Sequence, residues 1–163
     1  MNKIITMLML IIFSINLNAI EMEKGKEVLI SFSAGLGIVD IKNNKKEFGY
    51  FLDVSAIERF DKTNYFYGYG ISFLDSQDHY KNISGEAKIG YNLKDILYLD
   101  IITKIGIGYA YNEIEKKETY GMQYSIDNTW SFSKTHSVGY KLQINDIDSR
   151  NTYTHIIYFS AFY

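Results

Sequence analysis

Few residues in this chain have the types and spacing needed for catalysis. Three histidines, His79, His136 and His155, are the candidate general bases. His136 directly precedes Ser137, a base beside a hydroxyl nucleophile. Consecutive side chains of an extended chain leave opposite faces, however, so these two cannot hydrogen-bond as a pair. His79 falls in a short polar stretch, Asp78-His79-Tyr80, with no nucleophile at a fixed offset. His155 sits among alternating apolar residues, with no Ser, Asp or Glu on its face to complete a triad. With no cysteine and scattered histidines, no metal cluster is expected, and no catalytic residue or cofactor is assigned. Gly68-Tyr69-Gly70 and Gly106-Ile107-Gly108 resemble phosphate loops only superficially. Their even spacing inside alternating segments marks one face of a strand, not a strand-to-helix turn. Asn82-Ile83-Ser84 matches a glycosylation acceptor, a short pattern that carries no assignment here.

The remaining chemistry is ionic. Asp53, Glu86, Lys88, Asp100, Lys104 and Lys141 share one face of alternating segments with serines and glycines. Three acids balance three bases. A hairpin turning near Leu93 to Asp95 would set Lys88 opposite or diagonal to Asp100, and Glu86 to Lys104. Buried charges require such partners, so a salt-bridged plug is expected rather than an aqueous pore.

Eight segments of period two must position these charges. Their apolar faces run Val28 to Ile38, Phe48 to Ala56, Tyr65 to Phe73, Ile83 to Tyr91, Leu97 to Tyr111, Tyr120 to Ile126, Val138 to Ile144, and Tyr153 to Tyr163. None of these faces carries Lys, Arg, Asp or Glu. A water-facing sheet would be full of them, whereas a lipid-facing Lys or Arg near the midplane costs about 2–4 kcal/mol. Tyrosines gather toward segment ends, as at Tyr65, Tyr91, Tyr109, Tyr120 and Tyr153. The opposite face leaves room for inward Phe51, Phe66, Tyr98 and Tyr158 beside its glycines. The expected fold is all-β, an eight-stranded antiparallel up-and-down transmembrane barrel. Its turns on one side fall near residues 59–63, 93–95 and 128–135; its loops on the other fall near 40–46, 75–81, 112–118 and 146–151.

Composition suits this reading. Aromatics make up 16% of the residues, with 15 Tyr, 10 Phe and no Pro. A mean hydropathy of −0.14 fits a wall that shows lipid only every second residue. A net charge of −2 gives no reason to expect nucleic acid. Residues 1–19 read as a signal peptide: Lys3, an apolar run from Ile4 to Ile15, and a Leu17-Asn18-Ala19 cleavage site. That leaves residues 20–163 as the barrel domain. The apolar run is short of the roughly 20 residues a spanning helix needs.

Over residues 27–163 the chain resembles the small eight-stranded outer-membrane barrels of the OmpA, OmpX and opacity-protein type. The resemblance rests on strand count, face pattern and the aromatic final strand. It implies a bacterial outer membrane, a lipid surround and delivery to the barrel-assembly machinery. Tyr153, Ile157, Phe159 and Tyr163 match the alternate apolar positions of that machinery's recognition signal; Ala161 matches weakly and His155 departs from it. Some small barrels are lipid A 3-O-deacylases with His-x-Ser on one face. Here Thr135-His136-Ser137-Val138 fails that pattern. The leading expectation is a monomeric, non-enzymatic surface or structural protein with short external loops and no assigned loop partner. The alternatives are a narrow small-solute channel, a lipid-modifying enzyme, and a soluble periplasmic barrel holding an apolar ligand.

Overall fold

Alternation at period two is realised as eight strands, because each segment can bury its glycine- and serine-rich face only by closing on itself. The computed structural model describes residues 28–41, 45–60, 63–76, 79–97, 100–147 and 150–162. The strands are β1 (Val28–Ile41), β2 (Lys45–Arg59), β3 (Tyr65–Asp75), β4 (Tyr80–Asn92), β5 (Ile101–Ile114), β6 (Lys117–Ser131), β7 (His136–Ile147) and β8 (Arg150–Phe162). Each pairs antiparallel with the next, and β1 pairs with β8 from Ser31↔Phe162 to Asp40↔Tyr153, so the barrel is closed. The expected signal peptide, Tyr98 and Tyr163 lie outside the described residues.

The stagger follows from the ladders. Tyr65 leads through Tyr91, Thr103, Asn128, Tyr140, Ile157, Leu36 and Tyr50 back to β3 at Asp75, ten residues further on. With about 3.3 Å per residue and 4.8 Å between strands, that stagger tilts the strands about 40°. Two residues along a strand then gain about 5 Å of height, and one step round the ladder gains about 3 Å. On the outer wall the charges stop at Glu58 near the end carrying both termini, and resume at Asp75, Lys81 and Asp146 near the other. The charge-free belt between them is about 23 Å tall, close to the ~25 Å typical of transmembrane barrels.

The strands run further than expected into the loops near 40–46, 75–81 and 146–151, and three other connections also differ from expectation. The fifth segment does not begin at Leu97. A single helical turn, α1 (Lys94–Leu97), intervenes, with the backbone N–H groups of Ile96 and Leu97 both donating to the carbonyl of Leu93. β6 continues to Ser131, so the expected turn at 128–135 contracts to 132–135. The expected loop at 112–118 contracts to two residues, Glu115 and Lys116, both with positive φ (49° and 68°). That is the conformation a two-residue hairpin needs to match the twist of its strands.

The interior is layered. Ile57, Phe66 and Ile102 pack together near the termini. Toward the other end Val39, Phe51, Leu74, Tyr80, Ile156 and Tyr158 pack together. Amides thread that upper cluster: Asn82 Nδ2 and Tyr80 Oη both donate to Asn112 Oδ1, at 2.7 and 3.0 Å, and Asn145 Nδ2 donates to Tyr80 Oη at 2.8 Å. The charges lie between the two layers.

Candidate functional site

Glycine makes the charged layer possible. Glu86 is flanked in the ladders by Gly70 and Gly108, and Lys88 by Gly68 and Gly106. Long side chains from β4 therefore cross the lumen over bare backbone. A Cβ on Gly70 would stand 2.9 Å from Lys88 Nζ, and one on Gly90 would stand 2.7 Å from Lys104 Cγ. Tyr158 uses the same device, its ring lying over Gly139, where a Cβ would fall 2.1 Å from Cζ.

Lys141 on β7 spans to Glu86 on β4, with Nζ 2.8 Å from Oε2. Lys88 lies 3.6 Å from that same oxygen and 3.2 Å from Asp53 Oδ2 on β2. Gln123 Nε2 donates to the other Glu86 oxygen at 2.5 Å. Lys104 pairs with Asp127 at 3.0 Å. Asp127 also accepts a short hydrogen bond from the Tyr158 hydroxyl, which in turn contacts Thr129 Oγ1 at 2.8 Å. Every one of these six charged residues is buried, Lys141 and Glu86 to within 4% of full burial. From the stagger, all six lie about 9–16 Å above the level of Tyr65, near the middle of the belt. The cavity left among Phe51, Asp53, Lys88, Lys104, Asp127 and Lys141 has a volume of about 10 Å³, room for one water at most.

Five of the six residues expected from the sequence meet here: Asp53, Glu86, Lys88, Lys104 and Lys141. Two expected pairings are corrected. Lys88 meets Asp53 and Glu86, not Asp100, and Lys104 meets Asp127, not Glu86. The cause is α1, which lengthens the β4–β5 connection so that Lys88 stands opposite Gly106 instead of near Asp100. Asp100 lies at the mouth near the termini, where it accepts a 2.7 Å hydrogen bond from Asn92 Nδ2. The third acid is Asp127, which sequence reasoning missed by ending the sixth segment at Ile126. Continuing the alternation by one residue would have found it.

Below the charged layer a vestibule of about 160 Å³ opens toward the termini, walled by Arg59, Phe66, Asp100, Ser131, Lys134 and Phe162. Phe162 borders both this space and the small cavity above, and so separates them.

Each histidine has a side-chain partner at its Nδ1, and at His136 Ser133 Oγ lies 3.3 Å from that atom. His79 Nδ1 lies 2.7 Å from Glu47 Oε1, and Ser76 Oγ donates to the other Glu47 oxygen at 2.6 Å, so Glu47 clasps the β3–β4 connection over the barrel mouth. His136 Nδ1 meets Thr135 Oγ1 at 2.8 Å and packs against Phe132 and Phe159, while Ser137 turns into the lumen and is fully buried. His155 Nδ1 meets Tyr140 Oη at 2.7 Å on the outer wall. Of the expected assembly-signal residues, Tyr153, Ile157 and Phe159 are exposed on that wall.

Neither a protein-family model nor a curated protein matches the chain. Solved structures do. Neisserial surface protein A superposes with a TM-score of 0.60 over 85% of this chain and 98% of its own, at 9% identity. The Yersinia pestis outer membrane protein Ail, in a phospholipid bilayer nanodisc, gives 0.56 over 84% and 100%, at 11% identity. The outer membrane enzyme PagL gives 0.53 over 81% and 97%, at 12% identity. At such identities the likeness concerns architecture alone. The fold of this chain is that of the small eight-stranded outer-membrane β-barrels.

Proposed function

We propose that the chain is an integral outer-membrane barrel with a structural role at the cell surface, its lumen plugged by paired charges. The carrying observation is the mid-height layer: Asp53, Glu86 and Asp127 against Lys88, Lys104 and Lys141, with about 10 Å³ left between them. A lined path for solutes would need those charges hydrated and apart. Here they neutralise one another, and an aromatic and amide layer lies on one side and an apolar one on the other. The connections between strands are short at both ends, which leaves the protein a compact anchor rather than a display scaffold. It is read as non-catalytic, because the histidines are engaged with Glu47, Thr135 and Tyr140. Biogenesis by the barrel-assembly machinery belongs to the same reading, with Tyr153, Ile157 and Phe159 on alternate outward positions of β8.

The test has two steps. The detergent-extracted outer-membrane fraction is run on a gel heated and unheated, and the purified protein is then placed in a planar bilayer. Expected are a heat-dependent mobility shift and no conductance. Stepwise ohmic conductance would replace the plug with a channel, and recovery in the soluble periplasm would remove the membrane reading.

A further inference from the structure

The vestibule near the termini has no part in the charged layer. Its volume of about 160 Å³ is close to the ~150 Å³ of an apolar cavity that admits one benzene. Buried Phe66 and Ile102 form its apolar floor, and Phe162 stands between it and the small cavity among the charges. The walls are tied in place. The Phe162 N–H donates to the Thr135 carbonyl at 2.8 Å, and the Ser131 N–H donates to the Asp100 carbonyl at 2.9 Å. This is a built hollow, not a fraying strand end.

Two cations face this floor across the mouth, Arg59 from the end of β2 and Lys134 from the β6–β7 turn. Neither forms an ion pair among the described residues. Arg59 Nε donates to the Thr63 carbonyl at 2.6 Å, and its Nη2 donates to Asn64 Oδ1 at 3.3 Å. Two uncharged acceptors thus hold one edge of the guanidinium. The other edge, a pair of parallel N–H groups, has no partner among the described residues. The lining contains one described carboxylate, Asp100, and it is engaged by Asn92 Nδ2 at 2.7 Å. One positive charge is left in excess beside the apolar floor.

We infer that the vestibule binds a small monocarboxylate with an apolar body, about the size of benzoate, entering by the mouth that carries the termini. A guanidinium held on one edge presents its free fork to a carboxylate in two parallel hydrogen bonds, and Lys134 adds a second charge. The body of the ligand packs on Phe66, Ile102 and Phe162, the usual division of labour in a small-molecule site. A second negative charge on the ligand would meet Asp100, which selects a monoanion. The inference needs the closed barrel but not the plug above it. A conducting barrel that binds the carboxylate would overturn the proposed function and leave this site standing.

Purified protein is placed in lipid nanodiscs and titrated with 4-fluorobenzoate by fluorine NMR, with empty nanodiscs as the blank. The comparison is 4-fluorobenzyl alcohol, alike in size and uncharged. Expected is saturable binding of the carboxylate at one site per barrel, and binding of the alcohol weaker by on the order of tenfold. Arg59→Gln with Lys134→Gln is expected to lose about the same factor for the carboxylate. Ser131→Phe fills the hollow with both cations kept and abolishes binding, whereas Lys81→Gln, at the opposite mouth, binds as the parent does. Each variant is checked for the heat-dependent mobility shift, so a lost site is separated from a lost fold. No saturable binding in a heat-shifting parent, equal binding of the alcohol, binding that survives the double variant, or an equal loss in Lys81→Gln would overturn the inference.

Discussion

Glu86 receives two lysines and an amide, and so joins β4 to β6 and β7. Removing it strands Lys141 and leaves Lys88 with Asp53 alone, in a layer with room for one water at most. Breaking a buried pair by deleting one partner costs about 3–5 kcal/mol, most of it the desolvation of the charge left behind. Glu86→Ala is therefore expected to lose about that much stability, read by urea unfolding in lipid vesicles from the emission of Trp130. Asp100 supplies the contrast. It sits at the mouth with Asn92, so Asp100→Asn is expected to cost less than about 1 kcal/mol. Equal losses for the two would mean that Asp100 belongs to the charged layer after all. Removing both members of a pair is a different matter. Lys104→Met with Asp127→Leu deletes the charges together and is expected to come within about 1 kcal/mol of the parent, while Asp127→Leu alone is far worse.

Among the elements, the β5–β6 hairpin carries visible local strain. Glu115 and Lys116 both occupy the left-handed region, which costs an ordinary L-residue about 1–2 kcal/mol. Asn and Gly enter that region with little or no penalty. Glu115→Asn with Lys116→Gly is thus expected to stabilise the barrel by about 1–2 kcal/mol, visible as a higher midpoint of the heat-dependent mobility shift. An unchanged or lower midpoint would mean that the two side chains repay the strain through contacts of their own. The same hairpin shows where sequence reading succeeds and fails. Period two made eight strands and both faces legible, because a one-residue slip would turn Leu52 or Ile107 into the lumen and Asp53 or Lys104 into the lipid. Connections are not periodic and stayed hidden. Nothing in Glu115-Lys116 advertises a tight turn, and the alternation of Leu97, Leu99 and Ile101 concealed α1. That single helical turn moved the β4–β5 register, and with it the ion pairs. The membership of the charged layer was thus largely readable from residue type and parity, while its pairing depended on a loop.

For the molecule as a whole, the order of layers matters more than any one of them. Ile57, Phe66 and Ile102 pack in the lumen near the termini, the ion pairs lie at mid-height, and Tyr80 with Asn82, Asn112 and Asn145 lies beyond. On the plugged reading proposed above, each layer excludes a hydrated ion, because an eight-stranded barrel is wide enough only for side chains. The charged layer then serves chiefly to fill the interior at neutral net charge, using long side chains that glycine-rich strands can accommodate. This has a measurable consequence. Asp53→Ser, Glu86→Ser, Lys88→Ser and Lys141→Ser together remove two acids and two bases, leaving the Lys104–Asp127 pair intact. The fourfold variant empties the middle of the lumen without changing its net charge, so the barrel is expected to be less stable yet still silent in a planar bilayer, since the layers above and below remain. Conductance from this variant, in a preparation that retains its heat-dependent shift, would show that the ion pairs alone hold the lumen shut and that Phe66, Ile102 and the asparagines do not seal it.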